Sequence, residues 1–117
     1  CVDTGRRERD LDRNNALLVA QLGDCDAQRG ATTEARTTLV EAQVLAAKSR
    51  SAVAFEVVAE AYETMNDRTA ALTALGRAIG LGYSRDNLAQ SKTLAELRKD
   101  PRYPAVLATK PVAPAGK

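Results

Sequence analysis

Histidine and tryptophan are absent from this chain, and cysteine occurs only twice, as Cys1 and Cys25. Without histidine and with so few thiols, the usual ligand sets of structural or catalytic zinc cannot be assembled. The same absence removes the Ser-His-Asp and Cys-His arrangements of nucleophilic catalysis. Gly76, Gly80 and Gly82 lie within or just after a helical pattern that carries no Lys-Ser or Lys-Thr pair, so no phosphate-binding loop is encoded. The expectation is a protein without catalytic residues, cofactor or metal.

Aromatic residues make up 3% of the 117-residue chain, which argues against a β-sandwich and for close helix packing through Ala, Leu and Val. The net charge is only +2, with acids and bases interleaved, so the electrostatic footprint of a nucleic-acid binder is missing. The longest apolar run, 16–20, is far short of the roughly 18 to 20 residues that span a bilayer. No transmembrane helix is expected. At this length the chain is one domain with a continuous core only if helices stack along it.

What the sequence does contain is a helical pattern that occurs twice in one register, across 19–45 and 55–81. Ala35, Leu39 and Ala42 in the first copy correspond to Ala71, Leu75 and Ala78 in the second, and 71 − 35, 75 − 39 and 78 − 42 all equal 36. A period in the mid-thirties built from two helices is the mark of a stacked helix-pair solenoid. The fold class is therefore all-α. Residues 1–13 read as a polar leader, 14–108 as the helical domain and 109–117 as a Pro/Ala-rich tail.

Helix boundaries follow from caps and stops. The first helix is predicted from Asn14 or Asn15 to Gln28 with Gly30 as its stop, the second from Thr32 to Lys48, the third from Ser51 to Met65 and the fourth from Asp67 to Leu81. Phe55, Val58, Ala59 and Tyr62 share one face of the third. Beyond Gly82, Thr93 with Glu96 reads as a capping box opening a short helix at Leu94. Asp100-Pro101 reads as an N-cap with proline at the first helical position, starting a turn through Leu107.

On these residues the chain resembles the tetratricopeptide repeats. Phe55, Val58, Ala59, Tyr62, Ala71, Leu75 and Ala78 match the characteristic positions of one repeat, and Val19, Leu22, Gly23, Ala35, Leu39 and Ala42 those of another. The repeats cover about 16–49 and 52–83. Asp26 departs from the family's tyrosine, Ala47 and Tyr83 from its helix-ending proline, and the 36-residue period is two residues longer than the family's usual one. Residues between Lys48 and Ser51 would absorb the excess. The segment 86–108 resembles the ending that follows the last repeat in many bacterial proteins, with Leu88, Leu94, Leu97, Tyr103 and Leu107 covering the open face of the fourth helix.

The resemblance implies a groove lined by the first and third helices. Val53, Glu56, Glu60, Glu63 and Thr64 would face Leu17, Ala20, Asp24, Ala27 and Gln28. Asp24, Gln28, Glu56, Glu60, Glu63 and Thr64 are then candidates for gripping a basic or amide-rich peptide. A solvated acidic helix face is the alternative, because glutamate favours helices without any partner. Some family members hold the C-terminal carboxylates of chaperones with basic residues in this groove; the acidic and apolar residues here do not imply that activity. Arg36, Arg68 and Arg77 are expected as solvated convex residues.

Leu17 and Leu18 belong to an apolar start of the first helix that calls for cover, either from preceding repeats or from another chain or subunit packed there. Cys1 has three readings: the lipid-bearing first residue of a mature bacterial lipoprotein, the first residue of a segment of a larger protein, or a disulfide partner of Cys25. The function expected is a non-catalytic scaffold or protein-interaction module of a bacterial assembly. It would sit at the periplasmic face of the envelope if Cys1 is an anchor and in the cytoplasm otherwise. The alternative is the regulatory C-terminal segment of a larger enzyme such as a receptor-like Ser/Thr kinase.

Overall fold

The computed structural model describes residues 15–110, and within them every regular element is helical. Four long helices, α1 (Ala16–Gln28), α2 (Thr32–Ser49), α3 (Ala52–Thr64) and α4 (Arg68–Gly80), are followed by α5 (Arg85–Gln90), a 3-10 turn (Leu97–Lys99) and α6 (Tyr103–Leu107). The sequence period is the structural period: α1 and α3 start 52 − 16 = 36 residues apart and end 64 − 28 = 36 apart, and α2 and α4 start 68 − 32 = 36 apart.

The boundaries have local causes. Asn15 Oδ1 accepts from the Leu18 amide at 3.0 Å, and Ser51 Oγ accepts from the Ala54 amide at 3.2 Å, so α1 and α3 begin with equivalent caps 36 residues apart. Gly30 (φ 84°) and Asn66 (φ 62°) occupy equivalent left-handed positions in the two intra-pair turns, where glycine and asparagine bear the least steric cost. The longer period is absorbed within α2, which has 18 residues against 13 in α4. Only Arg50 and Ser51 then join it to α3.

Burial explains the small residues. Ala35, Ala42, Ala71 and Ala78 are inaccessible, as are Val19, Leu22, Leu39, Val58, Leu75 and Ile79. At Gly23 a β-carbon would lie 2.6 Å from Leu39 Cδ2, so this glycine sets how closely α1 meets α2. The α1 helix packs on both α2 and α3, and α3 packs on α4; α2 touches α3 more lightly. Asp26, at the position equivalent to Tyr62, is fully buried and is matched by Arg29, whose Nη2 lies 3.0 Å from Oδ1. An arginine one turn on thus accommodates an acid where the second repeat has a phenol.

The C-terminal segment closes the fourth helix, by a route different from the expected one. Leu88, Leu94 and Leu97 are inaccessible and Tyr103 nearly so, with Leu107 partly buried against the same core. No helix opens at Leu94. Ser91 Oγ takes its amide at 3.4 Å and Glu96 turns to Lys99 at 3.1 Å, so the Thr93–Glu96 capping box does not form. The α6 helix starts at Tyr103, because Asp100 Oδ1 accepts from the Arg102 amide at 2.8 Å and holds Pro101 and Arg102 in a turn before it. Helix α5, capped by Ser84, was not foreseen.

Asp67 ties the two helix pairs together. Its Oδ1 caps α4 by accepting from the Ala70 amide at 3.2 Å, while Oδ2 accepts from Arg36 Nη1 of α2 at 3.0 Å. Asp67→Ala is expected to lower unfolding stability by about 1–2 kcal/mol, and Asp67→Asn, which keeps the cap, by about half that or less. Urea titrations of both variants check the difference.

Candidate functional site

The candidate site is built from corresponding positions of α1 and α3. Ala20 and Glu56, Asp24 and Glu60, Ala27 and Glu63, and Gln28 and Thr64 are each 36 apart, so the residues of the two helices share one orientation. Ala20 and Ala27 are buried at the floor, and Val53 at the start of α3 is 48% exposed.

Three carboxyl groups converge here. Glu56 is only 5% exposed, although it was expected to face the groove openly. Burial first, then a hydrogen bond shared with Glu60 and the nearby charges of Glu60 and Asp24, push its carboxyl up to about 9. At neutral pH Glu56 is therefore a proton donor to Glu60. Asp24 is also raised, by burial and then by Glu60, partly offset by the hydrogen bond that Gln28 Nε2 donates to Oδ2 at 3.0 Å. The Tyr83 hydroxyl is raised by burial and then by Glu56 and Glu60, so this side chain from the segment after α4 stands beside the cluster.

The other two candidates are drawn elsewhere. Glu63 is held by Arg68, whose Nε donates to Oε1 at 3.2 Å and whose Nη2 donates to Oε2. Arg68 Nη1 also lies 4.0 Å from Asp100, which Arg102 grips in turn. Arg68, expected as a solvated convex residue, is instead half-buried and joins α3 to the C-terminal cap. Thr64 is exposed and donates to the Glu60 carbonyl at 3.1 Å. Arg36 and Arg77 are exposed as expected, though Arg36 pairs with Asp67 and Arg77 sits 5.8 Å over the Phe55 ring.

Leu17 and Leu18 are half-buried, while the large side chains with the greatest apolar exposure are Val40, Val44 and Val53. Cys25 is not a free thiol. The anchor proposed at Cys1, the 1–13 leader and the tail beyond residue 110 lie outside the described residues. Among the described residues no group of three or more metal-ligating side chains is placed to hold an ion, and no helix is long and apolar enough to cross a membrane.

Tyr83 and Arg68 are the site residues that sequence reasoning missed. Arg68 follows Glu63 by five residues across a turn, outside the three- and four-residue spacings that mark helical pairs. Tyr83 lies in the chain after α4 and carries no periodic signal. No family model, curated protein or solved structure matches the chain.

Proposed function

We propose that this chain is a non-catalytic binding module of tetratricopeptide-repeat type. In this reading the face of α1 and α3 captures a basic peptide segment of a protein partner. One contrast supports it. Asp26, Glu63, Asp67 and Asp100 each hold an arginine of their own chain, whereas Asp24, Glu56 and Glu60 have no lysine or arginine ion pair among the described residues. A half-buried carboxyl cluster without an internal cation favours an external one, because charge-assisted hydrogen bonds in a partly desolvated groove are about twice as strong as neutral ones.

Val53, 48% exposed at the rim, gives aliphatic contact for the stem of a lysine or arginine. Asp24 and Glu60 would take its head group, and Gln28 and Thr64 can reach backbone amides beside it. The test uses Asp24→Lys with Glu60→Lys, leaving Glu63 on Arg68. Labelled peptides with one central arginine in a Gly/Ser background are expected to bind this variant at least about tenfold more weakly than the wild type, by anisotropy. Equal binding, with helicity unchanged, would remove the cluster from the account.

A further inference from the structure

The exposed face of α2 carries a second surface, independent of the α1–α3 site. Thr33, Thr37, Val40, Val44 and Ala47 are all exposed on α2, and their spacings of 4, 3, 4 and 3 place them in one narrow stripe opposite the buried face. Val40 and Val44 at its centre are 57% and 52% exposed, the two most exposed large apolar side chains among the described residues. Beside the stripe, α2 and α4 diverge and leave a shallow hollow of about 500 Å³ lined by Val40, Gln43, Val44, Ala47, Lys48 and Arg77.

We propose that this stripe is where two copies of the chain pair, their α2 helices antiparallel about a twofold axis. The charges flanking the stripe choose the second copy and its direction. Glu34, which is 55% exposed and lies 4.0 Å from Arg29 Nη2 of its own chain, and Lys48 are on the same flank, 48 − 34 = 14 residues and so about 21 Å apart along the helix. Antiparallel pairing centred between Val40 and Val44 sets Glu34 of each copy against Lys48 of the other, giving two complementary pairs.

A parallel arrangement would bring the two helix dipoles side by side in the repulsive sense. Glu41 falls near the axis and is already engaged within its own chain. The contact runs the ~27 Å length of one 18-residue helix, at the lower end of specific interfaces, which makes this a weak, concentration-dependent dimer.

Sedimentation equilibrium of the whole chain up to about 1 mM tests it, since a dissociation constant at that level is the weakest that still amounts to specific pairing. The wild type is expected to shift from monomer to dimer across the series. Val40→Glu with Val44→Glu should stay monomeric with unchanged circular dichroism, because both sites are exposed helix surface. Lys48→Glu should weaken the dimer about tenfold, and adding Glu34→Lys should restore it. A wild type monomeric throughout, a dimer that survives the double glutamate variant, or a charge swap that fails to restore pairing overturns the proposal.

Discussion

Leu39→Ala is expected to destabilise the protein by about 3–4 kcal/mol, a large part of the ~5–15 kcal/mol that holds a domain of this size. Leu39 is inaccessible and lies directly over Gly23 of α1. Its truncation removes buried apolar area and leaves a gap that two helices fixed by their turns cannot close. Gly23→Ala tests the same contact from the other side. The added β-carbon would stand 2.6 Å from Leu39 Cδ2 and 3.0 Å from its Cγ, so Leu39 must move within a packed core. The helix propensity of alanine returns about 1 kcal/mol, leaving a net loss of about 1–2 kcal/mol.

The double variant is the informative one. With Leu39 truncated the new methyl enters vacated space, so the two losses should fall short of additivity by at least about 1 kcal/mol in urea titrations. Additive losses would mean that Leu39 does not rest on Gly23. In the second repeat the equivalent pair is Ala59 and Leu75, beside Ala74 where the first repeat has Thr38. Thr38 Cγ2 lies 3.5 Å from the position of a Gly23 β-carbon, an ordinary contact, so it is the approach of Leu39 at 2.6 Å that calls for the smaller residue in the first repeat.

The second large effect is a loss of stability on the alkaline side. Glu56 titrates at about 9 in the fold against 4.5 in the unfolded chain, so between those values the folded state holds a proton that the unfolded state has released. Its stabilising contribution is complete below 4.5 and declines as pH rises toward 9. Glu56→Gln keeps a donor toward Glu60 and cannot ionise. It should match the wild type within about 1 kcal/mol near pH 5 and exceed it by about 1–2 kcal/mol near pH 9, by urea midpoints at each pH.

Asp100 acts at the other end of the scale. Arg102 holds its carboxyl at about 2, below the ordinary 3.8, so what it adds is present above 3.8 and is lost as pH falls through 2. The wild-type profile should therefore decline at both extremes. A variant at Glu56 should alter only the limb that falls as pH rises from 4.5 toward 9.

The helix pairs were legible in the sequence because their causes are local. Asn15 and Ser51 announce the starts of α1 and α3, Gly30 and Asn66 the turns, and Ala35, Leu39 and Ala42 repeat as Ala71, Leu75 and Ala78 wherever helices touch. The cap was legible in its apolar residues and not in its helices. Thr93 and Glu96 have capping-box spacing, yet the Glu96 carboxylate pairs with Lys99 and Ser91 accepts the Leu94 amide instead. Short elements depend on such choices between near-equal local bonds.

The groove was legible as a set of residues and not as a charge distribution. Spacing put Asp24, Glu56, Glu60 and Glu63 on one side, but only three dimensions show that Glu56 is buried against Glu60 or that Arg68 removes Glu63. Arg36 and Asp67 meet across 31 residues, beyond any local rule. The heptad spacing on α2 was present in the sequence as well, yet its exposure depends on how far α4 stands away, which no pattern within α2 reports.

The role proposed for Asp24, Glu56 and Glu60 is that of a receptor for a cationic side chain. Its most direct test is selection of a random decapeptide library on the immobilised wild-type chain, with Asp24→Asn/Glu60→Gln as the counter-target. The account predicts enrichment of sequences centred on arginine or lysine for the wild type, lost on the variant. Enriched peptides without a basic residue, or the same basic peptides enriched equally on both proteins, would contradict it.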